Sequence, residues 1–113
     1  MVYTIYVKME KPNLSYINEL SGDNLEFKNR IISILKKELA EEISVYASEF
    51  KNGNYLLAAQ SVHKLKHKIS ILSLKKGYYI AEEYENNLKS NSTKLDVDFI
   101  NILKNMQEFV NRL

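Results

Sequence analysis

The chain has 113 residues, of which 45% are hydrophobic and 27% charged, with a net charge of +2. That length makes one ordinary domain, able to bury roughly two thirds of the surface its unfolded chain exposes, and three glycines with one proline are too few turn residues for a sandwich or barrel, so the expected class is all-α. The absence of cysteine excludes a disulfide framework, a thiolate nucleophile and a cysteine-based zinc site, and a charge of +2 is too small to argue for nucleic acid.

The opening MVYTIYVKMEK has neither the basic start nor the long apolar run of an export signal, and no window approaches the ~18 apolar residues of a membrane span. A cytoplasmic chain with no membrane partner is the expectation. Residues 1–11 read as an N-terminal tail, with Met9 as a second candidate initiator, and residues 12–113 as the folded domain.

Pro12 and Asn13 precede Leu14, Ile17 and Leu20, a spacing that predicts a short helix with Asn13 as its N-cap. SGDN interrupts it. From Asn24, the apolar positions Phe27, Ile31, Leu35, Leu39, Ile43, Tyr46 and Phe50 recur every three or four residues, one stripe of a long helix. KNGN at 51–54 ends that helix, and Asn54 can cap the next, whose Ala58, Val62, Leu65, Ile69 and Leu72 form a narrow bundle seam. SLKKG at 73–77 predicts a tight reversal into a helix with the stripe Ile80, Ala81, Tyr84 and Leu88. SNST at 90–93 breaks the chain again, and Asp96 can cap a last helix with the stripe Phe99, Leu103, Met106, Val110 and Leu113. Short loops between long helices imply antiparallel neighbours, hence an up-and-down antiparallel four-helix bundle with a short additional N-terminal helix.

Both histidines of the chain lie in SVHKLKHKIS, residues 61–70. Against the seam, Gln60, His63, Lys64, His67 and Ile71 fall on the opposite face, with Lys66 and Ser70 flanking His63. The spacing therefore predicts that His63 is exposed near the middle of its helix. An imidazole in water is mostly neutral near pH 7, so one ring nitrogen keeps a lone pair that can attack phosphorus. An ammonium at Lys66 would offset the charge of an arriving phosphoryl group. The plainer alternative is an ordinary basic surface with one exposed histidine.

VHKLKHKISILSL, residues 62–74, resembles the signature of histidine-containing phosphotransfer domains: histidine, any residue, leucine, lysine, glycine, then small and apolar residues. GDNLEFKNRIISILKKELAEEISVY before it, GNYLLAAQSVHKLKH around it and KKGYYIAEEYENNL after it resemble successive helices of that family, so the likeness covers the chain from about residue 12 onward. The resemblance implies that His63 is the phosphoacceptor and Lys66 its accompanying lysine; Gln60, His67 and Ser70, grouped with His63 by helical spacing, are candidate accessory residues. It further implies a monomeric relay without catalytic apparatus or cofactor of its own. Its partners would be response-regulator receiver domains, which bring the acidic pocket and magnesium, and hybrid histidine kinases. The chain departs from the family at His67, which stands where the signature has glycine, and at Ser73, where a later glycine is expected.

Three other functions compete. His63 and His67 at i and i+4 make half of a zinc site, which carboxylates such as Glu82 or Glu85 would have to complete, so no bound metal is expected. The basic run HKLKHKISILSLKK is balanced by EEYE at 82–85 and AEE at 40–42, with no aromatic interleaved, which argues against nucleic acid. The main alternative is a helical module that binds a signalling partner without accepting phosphate. Ile71 and Leu74, outside the seam, are candidates for a docking face or for contact with the short N-terminal helix.

Overall fold

The computed structural model describes residues 10–113; the tail assigned to 1–11 and the initiator Met9 fall largely outside that range. Five helices follow in order: α1 (Ser15–Ser21), α2 (Leu25–Lys51), α3 (Tyr55–Ile71), α4 (Lys75–Lys89) and α5 (Asp96–Asn111). There is no strand among the described residues. α3 packs most extensively, against α4 on one side and α2 on the other, while α5 touches both α2 and α4 and α1 lies on α2. The four long helices thus enclose one core.

The predicted stripes supply that core. Leu35, Leu39 and Tyr46 of α2, Val62, Leu65 and Ile69 of α3, Ala81, Tyr84 and Leu88 of α4, and Phe99, Leu103, Met106 and Val110 of α5 are all buried. Burying an aliphatic side chain of this size contributes about 1.5–3 kcal/mol. Two tyrosines carry hydroxyls into the interior, and each satisfies the other: Tyr46 and Tyr84 share a 2.5 Å hydrogen bond, with Phe99 packed 5.1 Å from both ring centroids. Burial pushes the Tyr84 hydroxyl up to about 12, so the pair stays neutral and hydrogen-bonded at any ordinary pH.

Several boundaries differ from the sequence expectation, each for a local reason. α1 begins at Ser15 with Leu14 in the cap position, and Asn13 instead accepts a 2.9 Å hydrogen bond from the Ser15 N–H. Leu20 is 51% exposed, because α1 is seven residues long and buries only Ile17 and Ser21. Phe27 is also exposed, in the first turn of α2. There Asn24 is the true cap, its Oδ1 accepting from the Phe27 N–H at 2.9 Å. Asn54 occupies the α3 cap position, but its side chain donates to Glu49 at 3.2 Å rather than capping. Asp96 is the first residue of α5, after Leu95. The reversal between α3 and α4 is shorter than SLKKG: Ser73 takes a left-handed φ of 67°, and Lys75, Lys76 and Gly77 already belong to α4.

Glu10 secures the start of α4. Its carboxylate accepts from the Lys76 and Gly77 N–H groups, each at 2.9 Å, supplying the side-chain acceptors that the helix itself lacks. Asn105 of α5 donates to the Glu10 carbonyl, and the Asn13 N–H bonds Leu72 O, so the chain before α1 crosses the α3–α4 turn under hydrogen bonds. Because Leu65 is fully buried at the centre of the helix with most neighbours, Leu65→Ala is expected to cost about 3 kcal/mol of unfolding free energy. Urea denaturation followed by circular dichroism measures it, and a loss below about 1 kcal/mol would contradict this packing.

Candidate functional site

His63 is the central residue of α3, as its spacing requires, and its side chain is 57% exposed. The seam turns inward, which leaves Gln60, His63, Lys64, His67 and Ser70 exposed on the outer face. Lys66 and Lys68 lie about 200° apart around the helix, one on each flank of the seam. Since α3 has a neighbour on both sides, both lysines are buried and both find carboxylates. Lys68 meets Glu38 and Glu42 of α2, each at 3.0 Å, while Lys66 meets Glu85 Oε1 of α4 at 2.9 Å.

Two residues beside the seam lie deeper than their helical spacing alone indicates. Lys66, which flanks His63, is 9% exposed, its charge is paired with Glu85, and its ammonium lies 5.5 Å from the centroid of the Tyr78 ring. Of the two apolar residues offered for a docking face or for contact with α1, Leu74 is buried in the core and Ile71 is half-buried. The narrow-seam expectation omitted neighbours on both flanks, and those neighbours bury the positions beside the seam.

Glu85 is the organising residue. His63 Nδ1 lies 3.2 Å from its Oε2 and 3.4 Å from Oε1, Lys66 holds Oε1, and Lys89, one turn along α4, reaches Oε2 at 3.4 Å. Burial alone would raise the Glu85 carboxyl, but the Lys66 ammonium and the His63 hydrogen bond outweigh it and hold the group below its ordinary value. Lys66 answers reciprocally: burial disfavours its charge, and Glu85 more than compensates, so it stays cationic. An ionised carboxylate only accepts hydrogen bonds. Nδ1 of His63 must therefore carry the hydrogen, and in the neutral ring the lone pair is on Nε2.

His67 lies one turn further on, its ring perpendicular to that of His63 with centroids 5.5 Å apart. With Ser70 it borders an open groove of about 960 Å³ between α1 and the α3–α4 turn, lined also by Tyr16, Ile71, Tyr78 and Tyr79. No cluster of three or more metal-ligating side chains exists among the described residues, and none of the described helices is long and apolar enough to cross a membrane. Comparison with protein-family models, with curated proteins and with solved structures finds no match for the chain.

The sequence contained a signal for Glu85 that periodicity alone passes over. Ala81, Tyr84, Glu85 and Leu88 share the i, i+3, i+4, i+7 face, so an acid stands on the edge of the stripe that packs toward α3. Lys89 follows one turn later.

Glu85→Gln is expected to lower the unfolding free energy by about 2–3 kcal/mol at neutral pH, because the buried Lys66 ammonium loses its counter-charge. The sign with pH follows from the depressed value: this stability is complete above the ordinary carboxyl value of 4.5 and is lost as pH falls through the lower folded-state value. Urea titrations of parent and variant should therefore differ most near neutral pH and converge as the pH falls through the lowered folded-state value. An equal difference across that range would contradict an ionised Glu85.

Proposed function

We propose that the chain is a phosphorelay intermediate that accepts a phosphoryl group on His63 from a receiver-domain aspartate or a hybrid histidine kinase and passes it to a response regulator. In this reading α2 to α5 form an up-and-down antiparallel four-helix bundle, α1 is the additional short helix, and the protein acts in the cytoplasm as a monomer. The observation that carries the proposal is the state of His63: an exposed imidazole at mid-helix whose Nδ1 is held by a buried, ionised carboxylate, leaving Nε2 as the nucleophile.

The transfer balances without a proton acceptor. The Nε2 lone pair attacks phosphorus, the N–P bond forms, and the P–O bond to the aspartate breaks with its electron pair leaving on the carboxylate. The Nδ1 hydrogen stays in place. Positive charge then develops on the ring, 3.2 Å from Glu85, and the carboxylate stabilises it as it orients the imidazole, as the buried aspartate of a serine protease does for its histidine. Because α3 supplies the ring and α4 the carboxylate, the α3–α4 packing sets the direction in which Nε2 points.

Magnesium on the partner receiver would neutralise the phosphoryl group in flight, and the chain needs no cofactor or catalytic apparatus of its own. The groove beside His67 and Ser70 is what favours the second reading, a module that binds a signalling partner without accepting phosphate. One experiment separates the two. Incubation with a panel of phosphorylated receiver domains should label the parent on His63, leave folded His63→Gln unlabelled, and label Glu85→Gln about tenfold or more slowly. Label mapping to His67, or to folded His63→Gln, would mean the other histidine is the acceptor. A parent that no receiver labels would leave the binding module as the better account.

A further inference from the structure

Two lysines meet Glu85, and they differ in what they can reach. Lys66 is 9% exposed and bound to Oε1. Lys89 is 53% exposed and reaches Oε2, the same oxygen that His63 Nδ1 meets. Sharing one acceptor places the Lys89 ammonium within two hydrogen-bond lengths of the imidazole, with more than half of its side chain in water.

A phosphoryl group arriving at Nε2 brings negative charge to the exposed side of the ring. Lys66 cannot turn to meet it without stranding a buried carboxylate and its own buried stem, a costly separation. Lys89 can, because its own side chain is more than half in water and meets Glu85 at 3.4 Å, longer than the 2.9 Å Lys66 contact, and when it leaves, Glu85 still has Lys66 and His63. The two lysines thus divide the work that the sequence assigns to one.

Resting on the phosphocarrier reading of His63, we propose that Lys89 is the ammonium that swings from Glu85 to the phosphoryl oxygens during transfer, while Lys66 remains on Glu85 as a positioning residue. Lys89 is then a catalytic residue that touches the reacting group, and Lys66 acts only through the carboxylate that holds His63.

The test uses two donors: a phosphorylated receiver domain, and phosphoramidate, a small molecule whose P–N bond breaks with release of ammonia as the bond to Nε2 forms. The second donor has no docking surface. With label mapped to His63 by mass spectrometry, Lys89→Met should slow labelling by roughly tenfold with both donors and Lys89→Arg should retain most of the rate. Circular dichroism should match the parent, since residue 89 is exposed. In the phosphorylated protein, the ³¹P resonance should also move in Lys89→Met. Labelling of Lys89→Met by phosphoramidate at the parent rate would overturn the proposal even if receiver transfer fell, because a lysine that merely docks the partner affects the receiver arm alone. A parent labelled by neither donor would refute the phosphocarrier reading itself, so the two failures are distinct.

Discussion

A single carboxylate buried between two helices fixes the tautomer of His63. Glu85 on α4 would be costly to bury alone, and it is tolerated because Lys66 comes from α3 to meet it at 2.9 Å. Once that pair is in place, its second oxygen is available to His63, and the tautomer of an exposed histidine follows from an interaction beneath it. Removing either buried partner would therefore alter the protonation of the His63 ring without touching it.

The opposite flank of α3 is held in the same manner. Lys68 bridges Glu38 and Glu42 of α2, so one helix is tied on both sides by buried ammonium groups with the apolar seam between them. Together these contacts set the rotation of α3 about its own axis. The remaining arc, Gln60, His63, Lys64 and His67, has nowhere to go but solvent. Within that arc His63 lies nearer the Lys66 side than His67 does, which is why Glu85 engages the first histidine; His67 has the ring of His63 as its neighbour. The imidazole at 67 also adds bulk on the outer face of α3, beside the groove next to α1.

Much of this was legible in the sequence, because apolar spacing and Asn/Gly breaks report directly on local structure. The five helices, the α3 seam and the exposure of His63 follow from a period of 3.6 residues. What periodicity could not supply was which flanks of a helix have neighbours. A seam alone does not say how deep its flanks lie; with α2 and α4 both against α3, Lys66 and Lys68 are buried and need counter-charges. For the same reason Glu85 reads as one acid among EEYE until α4 is set beside α3. Short-range signals failed where two capping solutions compete: Asn13 sits two residues ahead of α1, and Glu10, distant in sequence, caps the α4 terminus that SLKKG left as a loop.

Glu85 dictates which nitrogen of His63 carries the hydrogen, and the most direct measurement is the tautomer itself. Long-range ¹H–¹⁵N correlation spectra of ¹⁵N-labelled protein, recorded where the ring is neutral, distinguish a protonated from an unprotonated ring nitrogen. The account predicts hydrogen on Nδ1 and a bare Nε2 at His63, reverting in Glu85→Gln toward the Nε2–H form that free imidazole side chains favour. A parent spectrum with hydrogen on Nε2, unchanged by the substitution, would contradict it.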